Sequence, residues 1–354
     1  MKMSTLPLSN TKYQSVPNIT NLASVLELHP LGKAWFIENH LNLAGFTTND
    51  ERTLYDNRKF WIDFSALDQF YIGRSWEFCW LIRKRTHLRD FVNKYYCDFH
   101  DFCIDAINAG NYVFVSVNTS YISEYAFKWR HQIFIHGYNA DDKTLYCSDF
   151  FGTPSKYTRR WIPYKEIDMG YLKLFDISDV DDFDGVCLWK YDENAFSFSK
   201  DFKCTKNTFL DYDIVRNRIH AFLNGKSDSL CAPSAANIGY GVTTIKWLKD
   251  FLLMEYERGV LVNMQPIFVI KDYIMVITDL VYAMKQEMYN VADIQEMLNN
   301  TNNIFSKLAF AIMKCNELVN RKMDTQSITQ KIEMTFEVFE LSICKLLAMI
   351  VDTI

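Results

Sequence analysis

The sequence predicts an α+β domain built on an antiparallel sheet over residues 1–204, followed by an all-helical domain over residues 205–354. Three observations carry this expectation. Two alternating runs within His131–Asp149 flank the polar turn Asn139-Ala140-Asp141-Asp142-Lys143, the signature of a hairpin. The run Tyr112-Val113-Phe114-Val115-Ser116-Val117 has the β-branched and aromatic content of a buried strand. Beyond residue 205, apolar positions recur at the helical period of about 3.6 residues.

Taken in order, residues 1–28 are polar and irregular, with Pro7 and Pro17, and are expected to cross the surface. Leu31, Ala34, Trp35, Ile37, Leu41 and Ala44 follow helical spacing. The first helix is therefore expected to open at Pro30-Leu31-Gly32 and to close on Gly45 as a C′ glycine. Residues 60–96 mix aromatic, polar and charged positions and do not divide into helix and strand. Residues 97–109 read as a helix closed by Gly110, and the strand 112–117 follows. An aromatic connection, TSYISEYAFKW, then leads into the hairpin. Trp161-Ile162-Pro163-Tyr164 precedes a strand-like run, Tyr171–Phe175, and the acidic run Asp176–Asp184 reads as a solvated loop. Helices are expected over Asp211–Leu223, Tyr240–Arg258, Gln265–Met288, Val291–Asn320 and Ile328–Ile350. In the last of these, Phe336, Phe339, Ile343, Leu346, Leu347 and Ile350 form one apolar stripe. Gly225 to Gly239 is a connection between the first two.

Composition narrows the classes. A net charge of −5 and a pI near 5.8 argue against a nucleic-acid binder, which carries a basic face. The N-terminal MKMSTLPLSNTKYQS lacks the apolar core of a signal peptide. The most apolar long stretch, Ile267 to Met284, is broken by Lys271, Asp272 and Asp279, so no membrane span is expected. Nine cysteines, an odd number without regular spacing, point to reduced thiols and a cytoplasmic protein. The apolar stripes of the C-terminal helices permit a homodimer.

The candidate chemistry sits on the hairpin. A turn centred near Ala140 sets His131 opposite Asp149, on the face that carries Ile133, Ile135, Leu145 and Cys147. Opposed side chains have Cβ atoms roughly 5 Å apart, within hydrogen-bonding reach. An acid that orients an imidazole makes a catalytic base, and the same pair also satisfies an ordinary buried histidine. His136 is placed on the opposite face as a surface or inter-element contact. Cys97, His100 and Cys103 have a C-x₂-H-x₂-C spacing, but a zinc site needs a fourth ligand and paired knuckles, so no metal is expected there. Gly239-Tyr240-Gly241 reads as a tight entry turn to a helix. A thiol nucleophile, where there is one, opens a helix whose dipole favours the thiolate. The expected place is near residues 30–34.

These pieces resemble the N-terminal-domain family of the butirosin biosynthesis protein BtrH, a papain-like, C39-peptidase-like fold. The matching segments are Leu41-Asn42-Leu43-Ala44-Gly45, Ala109-Gly110-Asn111-Tyr112-Val113, His131-Gln132-Ile133-Phe134-Ile135-His136-Gly137-Tyr138-Asn139 and Tyr146-Cys147-Ser148-Asp149. Met264-Gln265-Pro266 leading into a long helix is similar to the helical domain that follows in such proteins. The resemblance implies amide formation from acyl groups held as thioesters on carrier proteins, in specialised-metabolite pathways beside nonribosomal peptide synthetases. His131 would be the general base and Asp149 its orienting acid. The implied partners are an acyl or peptidyl carrier protein bearing a phosphopantetheine thioester and an amine acceptor, with no cofactor. The family's cysteine falls on or near Gly32, and no cysteine precedes Cys79. Two expectations follow: an acyltransferase that works through His131 without an acyl-enzyme, or a catalytically inactive homologue that binds a carrier protein, a peptide product or a partner enzyme.

Overall fold

The computed structural model describes residues 3–48, 59–64, 79–152, 156–176, 185–192, 210–227 and 238–354. In chain order the elements are β1 (Met3–Thr5), α1 (Pro17–Leu26), α2 (Pro30–Asn39), β2 (Leu43–Thr48), β3 (Lys59–Phe64), β4 (Ile82–Leu88), α3 (Arg89–Tyr95), α4 (Phe99–Asn108), β5 (Tyr112–Asn118), β6 (Arg130–Asn139), β7 (Thr144–Phe151), β8 (Lys156–Pro163), α5 (Tyr164–Leu172), β9 (Gly185–Tyr191), α6 (Tyr212–Leu223), β10 (Ile238–Tyr240), α7 (Val242–Glu257), α8 (Gln265–Gln286), α9 (Ala292–Asn320) and α10 (Gln326–Thr353). The class is α+β, with an antiparallel sheet and a helical C-terminal region. Contacts divide the chain into two compact units, Met1–Leu28 with Cys79–Lys200 and His29–Phe78 with Asp201–Ile354. A single cut at 204 therefore misses one feature: residues 29–78 cluster with the C-terminal half. Among the described residues no helix is long and apolar enough to cross a membrane.

In the first unit the sheet runs β4-β9-β5-β6-β7-β8, with β1 pairing to the turn end of β6, and every pairing is antiparallel. β5 lies inside this order and is buried at all positions, which is why its sequence is a continuous apolar run rather than an alternating one. One face packs Val113, Val115, Val117, Ile133, Ile135 and Cys147 against Phe102, Cys103 and Ile107 of α4 and Ile167 and Tyr171 of α5. The other stacks Tyr112, Phe114, Phe134 and Trp189, with ring centroids 5.2–6.4 Å apart. α1 packs on β7, and Tyr157 of β8 donates its hydroxyl to Asn21 of α1.

Three local expectations change. The first helix is α1, inside the stretch expected to be irregular; Pro17 opens it at the position where a missing N–H costs nothing. The 30–44 pattern splits: α2 stops at Asn39, and Gly45 pairs with Ile62 and Gly239 within a strand instead of closing a helix. Tyr171 and Leu174 belong to the end of α5 and the turn after it. With Ile167 they repeat at i, i+4, i+7 and are all buried, a helical face that a five-residue apolar run does not distinguish from a strand. The acidic run beyond Asp176, at 177–184, lies outside the described residues, as do 65–78 of the undivided stretch and 228–237 of the Gly225–Gly239 connection.

The second unit holds the five expected C-terminal helices, α2 and a three-stranded sheet, β10-β2-β3. The stripe Phe336, Phe339, Ile343, Leu346, Leu347 and Ile350 is buried on α10, which packs along α9 with Thr301 and Ser342 hydrogen-bonded between them at 2.7 Å. Gly241, at φ +52, turns the chain from β10 into α7, and a Cβ there would lie 2.2 Å from the Phe222 carbonyl oxygen.

Two substitutions check this packing. Phe339→Ala is expected to destabilise the protein by about 3–5 kcal/mol, the usual cost of emptying a buried aromatic site. Gly241→Ala must force both the left-handed backbone and the Phe222 contact, so it is expected to lower the unfolding midpoint by more than an Ala substitution at exposed Lys331 does. Denaturant melts of the three variants decide both.

Candidate functional site

The hairpin forms, but in a register different from the expected one. Near the turn Asn139 pairs with Thr144, Tyr138 with Leu145 and Gly137 with Tyr146. The ladder then slips at His136, and beyond it Ile135 pairs with Cys147 and Phe134 with Ser148. Continued outward, that register sets Ile133 opposite Asp149 and leaves His131 on the diagonal. Diagonal neighbours on one face remain within reach of long side chains. His131 Nε2 lies 3.1 Å from Asp149 Oδ1 and 3.1 Å from Oδ2. The pair thus meets across the diagonal rather than head-on.

Asp149 is completely buried, and its carboxylate has a second donor that the sequence did not reveal. The Tyr125 hydroxyl donates to Asp149 Oδ2. Tyr125 sits in the aromatic connection before β6, where a bridge to Gly152 and the Gly152 N–H to Glu124 carbonyl bond at 3.0 Å hold it over the end of the hairpin. Burial, and then the Asp149 charge and hydrogen bond, push the Tyr125 phenol well above its ordinary range, so it stays a neutral donor. His131 lies edge-on to Phe127 at 5.2 Å and to Tyr125 at 5.9 Å, and its side chain keeps 27% exposure.

Burial works against the charged form of His131, but the Asp149 charge and hydrogen bond outweigh it, and the imidazole is raised above 6.5. With Nε2–H donated to the carboxylate, the neutral ring presents its lone pair at Nδ1. That nitrogen makes no hydrogen bond among the described residues. A half-buried imidazole held by one nitrogen and open at the other can accept a proton from a bound molecule.

His136 is buried, with its Nε2 2.9 Å from the Ser148 hydroxyl. Burial, with Arg159 nearby, lowers it to about 3, so it is a neutral packing group and not a surface contact. Gly32 lies in α2, within the second unit, whereas His131 and Asp149 belong to the first. The first helix of the first unit is α1, and its opening residues, Val16-Pro17-Asn18-Ile19, hold no cysteine. Among the described thiols, burial pushes Cys79 up to about 12 and Cys103 and Cys147 well above their ordinary range.

The C-x₂-H-x₂-C residues separate: Cys103 is in the core, Cys97 is exposed, and His100 turns to Asp168 of α5 instead. His100 Nδ1 lies 2.7 Å from Asp168 Oδ2, and the His100 backbone N–H donates to Asp168 Oδ1 at 2.8 Å. Burial raises the Asp168 carboxyl, opposed by its bonds to His100, with the Asp98 charge adding to the rise. No spacing rule could have found a partner 68 residues away in another helix. Tyr125 escaped for a similar reason, since tertiary bridging of an irregular segment brings it to Asp149.

The Asp149 contact makes a titration prediction. The His131 ring signals in NMR should titrate above pH 6.5, and Asp149→Asn should move that midpoint down. The sign for stability follows: a raised folded value contributes stability in full below the unfolded value of about 6.5, lost as pH rises through the folded value. Asp149→Asn should therefore destabilise more at pH 6 than at pH 9, measured by denaturant melts at both.

No protein-family model matches the chain, and no match to it was found among curated proteins.

Proposed function

We propose that the first unit is a papain-like domain of the BtrH-like kind, and that the protein transfers an acyl group from a carrier-protein thioester to an amine, within carrier-dependent specialised-metabolite biosynthesis. The observation that carries this is His131: its Nε2 is held by a buried carboxylate while Nδ1 has no hydrogen-bond partner among the described residues. In this reading the amine nitrogen attacks the thioester carbonyl carbon as His131 Nδ1 takes the amine proton. The C–S bond breaks, the leaving thiolate receives that proton from His131, and an amide and a free carrier thiol result. No covalent enzyme intermediate is invoked, because neither α1 nor α2 contains a cysteine and burial holds Cys79, Cys103 and Cys147 protonated. Thioesters are already activated, and a positioned general base typically contributes about 10²–10⁴-fold.

One observation favours a second reading, in which the domain binds the carrier, the product or a partner enzyme without turnover. Neither Gly32 nor the opening turn of α1 offers a nucleophile. A single assay separates the two. Purified protein is mixed with acyl-pantetheine thioesters and a panel of amines, and amide is quantified. The catalytic reading expects His131→Ala to lose about 10²–10⁴ in rate. It also expects the wild-type rate to climb as pH rises through the elevated His131 value, as the base form appears. No amide from any thioester, with carrier binding retained, would leave the binding reading in place.

A further inference from the structure

The first unit holds a second histidine–carboxylate cluster on another part of its surface, independent of His131. His100 lies in the first turn of α4, Asp98 precedes that helix, and Asp168 comes from α5. One donor atom from each of the three falls within 4.8 Å of the others. All three line an open cavity of about 630 Å³, whose wall also includes Lys143, Tyr164 and Lys165. Tyr164 stacks on the His100 ring, centroids 4.3 Å apart and planes within 14°, which fixes the imidazole plane. Tyr164 is itself only 9% exposed, and its hydroxyl has no hydrogen-bond partner among the described residues. A buried hydroxyl of this kind calls for a water or a ligand oxygen.

We infer that Asp98, His100 and Asp168 form a site for one divalent transition-metal ion, of the zinc class, at the wall of this cavity. One imidazole and two carboxylates make a mixed nitrogen–oxygen donor set; imidazole favours zinc over magnesium or calcium, which take oxygen ligands. Three protein ligands facing open space match an open site, with the remaining position left to water or a ligand, rather than a closed structural one. Two donors held by one ion at about 2.0–2.1 Å sit roughly 3 Å apart. The 2.7 Å contact between His100 and Asp168 needs to open only slightly as an ion takes the place of its proton. The side chains of His100 and Asp168 are 20% and 13% exposed, sheltered but reachable from the cavity. Asp168 Oδ1 keeps the His100 backbone N–H, so the same carboxylate anchors the helix start and aims its other oxygen at the ion.

Chelator-stripped full-length protein, titrated calorimetrically with Zn²⁺, tests this. One Zn²⁺ per chain is expected, with affinity at least about 10-fold weaker in His100→Ala and in Asp98→Asn. Asp98 is exposed and its side chain makes no capping hydrogen bond at the start of α4, so Asp98→Asn should keep the metal-free protein cooperatively folded, which separates loss of a ligand from loss of fold. Co²⁺ gives a visible absorption band in wild type and in Cys97→Ser, and none in His100→Ala. The inference is overturned if Zn²⁺ binds without stoichiometry, if His100→Ala and Asp98→Asn bind as tightly as wild type, or if Cys97→Ser abolishes the site.

Discussion

The slip at His136 in the β6–β7 ladder decides which side chains share a face. Side chains alternate along a strand, so a shift of one residue moves a whole set to the other side of the sheet. If the turn-proximal pairing of Gly137 with Tyr146 continued unbroken, Phe134 would sit opposite Asp149, and Asp149 would join the aromatic face with Phe134 and Trp189. The bulge restores parity. Beyond it Ile135 pairs with Cys147, and Asp149 returns to the face of His131. One extra residue, with its ring buried and bonded to Ser148, thereby makes the His131–Asp149 contact possible.

The contact answers an energetic demand. A carboxylate with no exposed surface is costly unless several donors meet it. Tyr125 and His131 both do so, and each is shaped by the charge it serves: the phenol is kept neutral and the imidazole is raised. His136 shows the opposite outcome a few residues away. Without a carboxylate beside it, burial prevails and the ring is held neutral. The same residue type in the same strand becomes a titrating group or a packing group according to whether a buried acid faces it.

The α4–α5 side of the unit repeats the motif with other consequences. Asp168 serves the start of α4 through one oxygen and the His100 ring through the other. Its cavity wall mixes charged residues such as Lys143 and Lys165 with apolar ones such as Pro163 and Met169, whereas His131 is flanked by Phe127 and Tyr125. Second-unit stability rests on different physics, the long α9–α10 seam of apolar side chains around Phe339 and Ile343.

The long helices were legible because a 22- to 29-residue amphipathic pattern repeats its period often enough to be unambiguous. The hairpin was legible from its turn, and the shared face of His131 and Asp149 survived because the true register differs from the expected one by an even step beyond the bulge. Short elements were not: α1 lies in a stretch rich in polar residues that tertiary packing, including that on β7, buries, and Tyr171 and Leu174 fit strand and helix equally. By itself the sequence determined the local periodicities, and with them the class and the residues of the His131–Asp149 pair. Tertiary structure decided the bulge, Tyr125 as third member, Asp168 as the partner of His100, and the grouping of residues 29–78 with the helical half. Each of those depends on contacts between distant segments, which no local pattern of residues encodes.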